Sequence, residues 1–473
     1  MRTAIRALLG ALLLGTAFAA PGAARAETLA AALAAGYESS GLLEQNRAVL
    51  RAADEDVAQA VAALRPVVSW VSTFQASAPA SPFAVNTFGG FQGSTSLGLQ
   101  ATVTLFDAGQ RELAIDQQKE AVLATRQALL DVEQQVLFRV VQAYLEVQRV
   151  GAFVDLRQNN VRVITQELRA ARDRFEVGEV TRTDVALAEA QLASANSALA
   201  AAQGNYNIAR ERYKAAIGHY PGNLSGLPRL PTTAKTIAGA RAIALRTHPV
   251  ILQAQHQARA SDFGVELARA EMMPTVDGSA SLRQTFRGDN NPPFFSGGLS
   301  DPIEERFGIN MTQTIYAGGR LSSALRKAIA QQQSSHAGLL QTGVNVDEAV
   351  GRAWSNILVA NVSIEAGSEQ IRAAQAAYDG VKQEADLGSR TLLDVLDADQ
   401  NLLSAKAARL QASANFYVSQ YQLLSAMGLL TAQHLRLGIP TFDPSAYLNA
   451  VKNAPATSGR GAKLDRILKT LGK

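Results

Sequence analysis

The chain contains no cysteine. That absence excludes a disulfide framework, a thiolate metal site and a lipid attached through an N-terminal cysteine. Aromatic residues are 6% and charged residues 18% of the 473 residues. Alanine is abundant instead, and small side chains suit closely packed long helices better than a broad globular core. Long apolar runs are missing as well. Residues 7–20 fall short of the ~20 apolar residues that a spanning helix needs, and no later segment comes nearer, so any membrane residence must be achieved with strands. Proline is absent from residues 110–175 and 320–386, and the first of these stretches holds a single glycine, Gly151.

Site chemistry is equally thin. The five histidines, His219, His248, His256, His336 and His434, are scattered, and none has an acid partner at metal-ligand spacing. His219 and His248 flank Pro/Gly breaks and read as turn residues. There is no P-loop and no G-x-G-x-x-G after a strand. The reading is of a protein that is not an enzyme, with no cofactor and no metal.

The first 26 residues read as an export signal. Arg2 and Arg6 precede the apolar stretch 7–20, and Ala24-Arg25-Ala26 has cleavage-site form. Cleavage would start the mature chain at Glu27. It would remove three arginines and no acid, leaving 42 basic against 41 acidic residues. The formal +4 therefore gives no reason to expect a nucleic-acid partner.

What is present is a duplication. Residues 175–218 recur at 385–428: Gly178 maps to Gly388, Asp184-Val185 to Asp394-Val395, Leu192 to Leu402 and Gly218 to Gly428. The same offset, 210, carries Phe106–Gly109 onto Tyr316–Gly319, and an offset of 208 carries Pro66 onto Pro274. One structural unit is built twice. The first repeat covers residues 27–235, the second 236–437, and 438–473 forms a tail. The end of the tail, 454–473, is small and basic and reads as disordered, with a short amphipathic turn near Leu464–Leu471.

Within each repeat, period-two stretches mark strands. Leu97, Leu99, Ala101, Val103 and Leu105 alternate with Ser96, Gly98, Gln100, Thr102 and Thr104. Strands are expected at residues 67–75, 95–105, 275–286 and 307–315, with Ser/Pro/Gly-rich loops between the members of each pair. At roughly nine to twelve residues they match the ~9–11 residues of a tilted bilayer-crossing strand. Residues 28–64 read as helix. Long helices follow each strand pair, at 110–175 and 320–386. Each turns at a glycine and returns at 181–217 or 391–427, with apolar residues at three-and-four spacing (Val185, Ala188, Leu192, Ala195).

Four strands with one apolar face cannot close a wall in hydrocarbon, because their edges stay open. A membrane barrel needs at least about eight strands, so several chains must contribute. Two would be the minimum, and three would make a wider, hollow cylinder.

The proline before the strands, the aromatic-x-x-Gly helix starts Phe106-Asp107-Ala108-Gly109 and Tyr316-Ala317-Gly318-Gly319, the two glycine turns and the segment Leu387–Ala398 (LGSRTLLDVLDA) together resemble the TolC family. The resemblance covers residues 28–435. It implies a mainly α chain with membrane β-strands, assembled as a homotrimer with a twelve-stranded outer-membrane β-barrel on a periplasmic α-helical barrel. It implies a passive exit duct for tripartite efflux pumps or type I protein secretion. The partners implied are a periplasmic adaptor (membrane fusion) protein, an inner-membrane transporter of RND, ABC or MFS type, and outer-membrane lipid. Related ducts carry a lipid on an N-terminal cysteine, so this chain looks closer to TolC itself.

The helical tips would form the periplasmic mouth. Asp394 and Asp397 are three apart and share a helix face. In a three-fold assembly they would stack two carboxylate rings, which favour cations. By resemblance Asp394 and Asp397 line the constriction, while Arg390 and Asp184 belong to the links that hold the entrance shut. Other readings stand beside these. Thr181-x-x-Asp184 and Thr391-x-x-Asp394 have capping-box form, and Arg390 would serve equally as a solvated tip charge. The family's aromatic five residues before the matching arginine is replaced by Ala385. The tips, with Phe175, Val177, Gly178 and Glu179 in one copy and Leu387, Gly388 and Ser389 in the other, form the expected adaptor-docking surface. Glu179 stands where the family has an apolar residue. The alternative to a duct is an exported periplasmic coiled-coil scaffold without a channel.

Overall fold

A computed structural model describes residues 26–77, 92–288, 302–440, 442–455 and 459–470. Residues 1–25 of the expected signal peptide, and residues 78–91 and 289–301 of the expected loops, fall outside the described residues.

The first repeat runs α1 (Leu29–Ser39), α2 (Gly41–Ala62), β1 (Val67–Ser77), β2 (Gln92–Phe106), α3 (Gln110–Glu176) and α4 (Arg182–Ile217). The second runs α5 (Ile237–Thr247), α6 (Pro249–Ala270), β3 (Thr275–Gly288), β4 (Glu304–Thr312), α7 (Arg320–Asp386) and α8 (Leu392–Ala426). The bounds of α1 and α2 return at an offset of 208 in α5 and α6, and those of α3 return at 210 in α7. The two-residue difference arises in the strand pairs. No described helix is long and apolar enough to cross a membrane.

Three expectations change. The helix expected at 28–64 breaks at Ser40, whose side chain caps α2 by accepting from the Leu43 N–H. In the second copy the same break falls at His248-Pro249, where Pro249 opens α6 and His248 Nδ1 accepts from the Val250 N–H. Second, β4 starts three residues earlier than expected and ends at Thr312, leaving Ile315 outside the strand and 95% exposed. Its early start follows from pairing, because Arg283 of β3 meets Glu304. Charged Glu304–Arg306 carry no apolar alternation to reveal this. Third, the tail holds helix α9 (Ala446–Val451), in a stretch given no element from sequence, and helix α10 (Gly459–Thr470) where disorder and a short turn were expected.

The described residues form two compact units. One comprises Tyr37–Arg139, Pro231–Ser368 and Asn415–Lys473. It contains a four-stranded antiparallel sheet in the order β1-β2-β3-β4. Cross-strand neighbours share a face. One face carries the rows Val68–Ala101–Ala280–Phe307, Trp70–Leu99–Leu282–Glu305 and Val103–Gly278–Ile309, apolar except at Glu305. The other carries Ser69–Gln100–Ser281–Arg306 and Thr104–Asp277–Asn310. Trp70, Phe74, Leu99, Leu282, Phe307, Ile309 and Met311 all stand exposed on the apolar face, with Phe307 81% open. Val67 and Val71 are apolar exceptions on the polar face of β1. Beneath the sheet, Ala240, Ala244, Ile251, Val350, Ala353, Leu423 and Met427 make the helical core of this unit.

The other unit comprises residues 26–36, 140–230 and 369–414. Along α4, Ala188, Ala195, Ala202 and Ala209 are buried at seven-residue intervals. That is the seam of a coiled coil built with alanine, which lets helix backbones approach closely. Ile164, Ala195 and Leu396 join α3, α4 and α8 in one cluster.

Candidate functional site at the hairpin tips

Both tips turn by the same chemistry. At the end of α3 the Glu179 N–H donates to the Arg174 carbonyl (2.9 Å) and the Gly178 N–H to that of Phe175 (3.0 Å). Ser389 to Glu384 (2.9 Å) and Gly388 to Ala385 (3.0 Å) repeat the pattern after α7. This six-to-one closure needs a left-handed residue. Gly178 and Gly388 supply it at φ 79° and 80°.

Each returning helix is then capped. The Asp184 carboxylate accepts from the Thr181 N–H (2.9 Å) and hydroxyl (2.7 Å), while the Asp184 N–H donates to Thr181 Oγ1 (3.3 Å). Asp394 and Thr391 make the same three contacts at 3.0, 2.8 and 3.3 Å. The threonine hydrogen bonds hold both carboxyls below the usual carboxylate range, so both carry charge at neutral pH. Asp397, one turn further in, is exposed and has no hydrogen-bond partner among the described residues. Arg390 Nε donates to Glu384 Oε2 at 2.8 Å, within its own tip.

The two tips lie against each other within one unit. Asp184 and Arg390 line a cleft of about 530 Å³ between them, together with Arg174, Glu179 and Asp386. The bonds that cross between the hairpins belong to other residues. Arg174 on α3 donates to the Asp386 carboxylate (2.7 Å) and to the Ala385 carbonyl (3.4 Å). Lys382 on α7 reaches Glu167 on α3 at 2.6 Å, and the Glu167 side chain is only 13% exposed. Glu167 holds the Lys382 ammonium above its usual range. Asn160 on α3 donates to Asp399 on α8 at 2.7 Å, and burial raises the Asp399 carboxyl. Apart from Ala385, none of these residues was singled out from sequence. Their partners lie more than two hundred positions away. On a long polar helix such charges look like any solvated face.

The tip residues Val177 and Leu387, equivalent in the two copies, are 71% and 86% exposed, and Phe175 is exposed beside them. Glu179, Gly388 and Ser389 complete this surface. No cluster of three or more histidine or acidic side chains able to hold a metal occurs among the described residues. Histidines do find acids in space. His256 meets Glu120 at 2.7 Å and His336 meets Asp262 at 2.9 Å, tying α6 to α3 and to α7. Sequence spacing missed these pairs because the partners stand on different helices.

The duplication, the two-faced sheet and the long helical hairpins define a class of outer-membrane transport channel rather than an enzyme class. The sequence profile of the outer membrane efflux protein family matches residues 37–219 and 241–429. The chain belongs to that family. Outer membrane efflux protein BepC of Brucella suis biovar 1 (strain 1330) is 32% identical over 437 residues, 91% of this chain and 92% of the relative. Outer membrane protein TolC of Escherichia coli (strain K12) is 25% identical over 387 residues, 79% and 77% of the two chains. A crystal structure of CusC superposes with a TM-score of 0.74 at 19% identity, covering 84% of this chain and 91% of that one, which shows the shared fold. The protein therefore resides in the outer membrane, with a large periplasmic part.

Proposed function

We propose that three copies of the chain close a twelve-stranded barrel in the outer membrane and that their helical hairpins continue it as a periplasmic tube. The assembly is a passive exit duct for a tripartite efflux pump or a type I secretion system. A periplasmic adaptor docks on the exposed tips, and an inner-membrane transporter supplies the energy. One observation carries this reading. The sheet turns an apolar face outward across all four strands, interrupted on β4 by Glu305 opposite Leu282, while β1 and β4 keep open edges. Hydrocarbon does not tolerate such edges, so each must pair with the next copy. The scaffold alternative leaves that face unexplained.

The entrance is closed at the tips. The Asp394 and Asp397 rings set charge selectivity. Asp394 and Asp184 also fix the starts of their helices. The Arg174–Asp386 and Lys382–Glu167 bridges hold the two hairpins of each copy together, in the place left without an aromatic at Ala385. Arg390 stiffens its own tip through Glu384. The test is purification in mild detergent, followed by electrophoresis before and after boiling and by planar-bilayer recording. A duct migrates as a trimer until heated and inserts as discrete conductance steps. A species that is monomeric before boiling and electrically silent would overturn the reading.

A further inference from the structure

The C-terminal tail has no part in the duct mechanism, yet it is led along a defined path. Phe442 packs under the Arg47 guanidinium at 5.2 Å. The Tyr447 hydroxyl donates to Glu55 at 2.7 Å, and α9 packs on α2. Arg65 then donates to the carbonyls of Asn453 and Ala454, the latter at 2.8 Å. The tail thus runs beside α2 from residue 47 and on past its end to Arg65. Arg65 stands two residues before the first residue of β1.

That course brings the chain to the foot of the membrane sheet. Gly459, the start of α10, is five residues beyond Ala454, so it lies within about 17 Å of that carbonyl. In α10, Arg460, Lys463 and Arg466 are exposed, and Ile467 is 55% exposed. By sequence, residues 459–473 hold five basic residues (with Lys469 and Lys473) against one acid, Asp465. Leu464, Ile467 and Leu468 recur at the three-and-four spacing of one helix stripe; Lys463 and Arg466 fall off that stripe, while Arg460 stands at its N-terminal end. A short basic amphipathic helix beside a bilayer rim is the pattern of an interfacial segment.

We infer that α10 lies on the periplasmic surface of the outer membrane, its basic residues on anionic phospholipid headgroups and Ile467 toward the acyl boundary. It gives the chain a second hold on the bilayer near β1. Arg65 and α9 position the helix at the right height. The inference rests on the barrel reading of the sheet.

The test uses the full chain with its apolar belt wrapped in uncharged amphipol. Its trimeric migration is verified first, so that failure of the barrel reading is seen separately. The sample is floated with vesicles of phosphatidylcholine alone or of phosphatidylcholine with roughly one-third phosphatidylglycerol, since each basic residue near an anionic surface adds attraction. Binding is expected only to the anionic vesicles and is lost at high salt. The variant Arg460→Glu/Lys463→Glu/Arg466→Glu should bind at least about tenfold more weakly while keeping trimeric migration. Equal flotation with both vesicle types, no flotation of the wild type, or an unaffected triple variant would each overturn the inference.

Discussion

Removing the charge of Lys382 tests whether the two hairpins of one copy are held together ionically. The Arg174–Asp386 bridge is half exposed, with side chains 35% and 59% open. Pairs of that kind contribute about 0.2–1 kcal/mol. The Lys382–Glu167 bridge has one partner nearly enclosed, so a charge-assisted bond toward the lower end of about 1.5–3 kcal/mol is the better guide. Summed over three copies moving together, Lys382→Met favours the open mouth by about 4.5 kcal/mol, more than a thousandfold. Arg174→Ala yields at most about 3 kcal/mol. Arg390→Ala should raise conductance least, because its bond stays within one tip. Methionine at 382 keeps the aliphatic stem, so the loss is one of charge. Single-channel recording at about 0.1 M and 1 M salt separates the two bridges. Screening, with a Debye length of ~10 Å and ~3 Å respectively, weakens the exposed Arg174 pair far more than the enclosed one. The swap Arg174→Asp/Asp386→Arg should return conductance toward wild type. Wild-type conductance in Lys382→Met at both salts would refute the ionic clasp.

Further outcomes follow from single positions. Asp397→Asn should reduce cation preference, read as a smaller reversal potential in a salt gradient, with thermal stability unchanged because the side chain has no partner among the described residues to lose; an unmoved potential removes Asp397 from the pore. Ala202→Leu places a branched side chain in a seam where Ala202 is 2% exposed, and should destabilise the hairpin by about 1–3 kcal/mol in thermal unfolding; an unchanged melting temperature would mean the seam has room. Asp399 has a folded pKa raised chiefly by burial, so its contribution to stability is fully present below its unfolded pKa and is lost as pH rises through the folded value. Asp399→Asn should therefore melt higher than wild type at about pH 7, and the gap should close as pH falls toward about 4; a gap that widens in acid reverses the sign and the argument.

The sequence by itself determined the elements whose causes are local. Gly178 and Gly388 mark the two tips because a left-handed turn is a property of single residues. The alternation of Ser96–Leu105 marks β2 because a strand shows its two faces at period two. The 208 and 210 offsets marked the duplication, and the Thr-x-x-Asp spacing marked both capping boxes. Only the tertiary structure decided which side chains meet across helices. Arg174 finds Asp386, Lys382 finds Glu167 and His256 finds Glu120 through the packing of helices remote in sequence. The same packing set the start of β4, through its register on β3, and led the tail along α2 to Arg65. Backbone preference and periodicity act over a few residues and leave a trace in order along the chain. A partner more than a hundred positions away leaves none, because its nearness is created by folding.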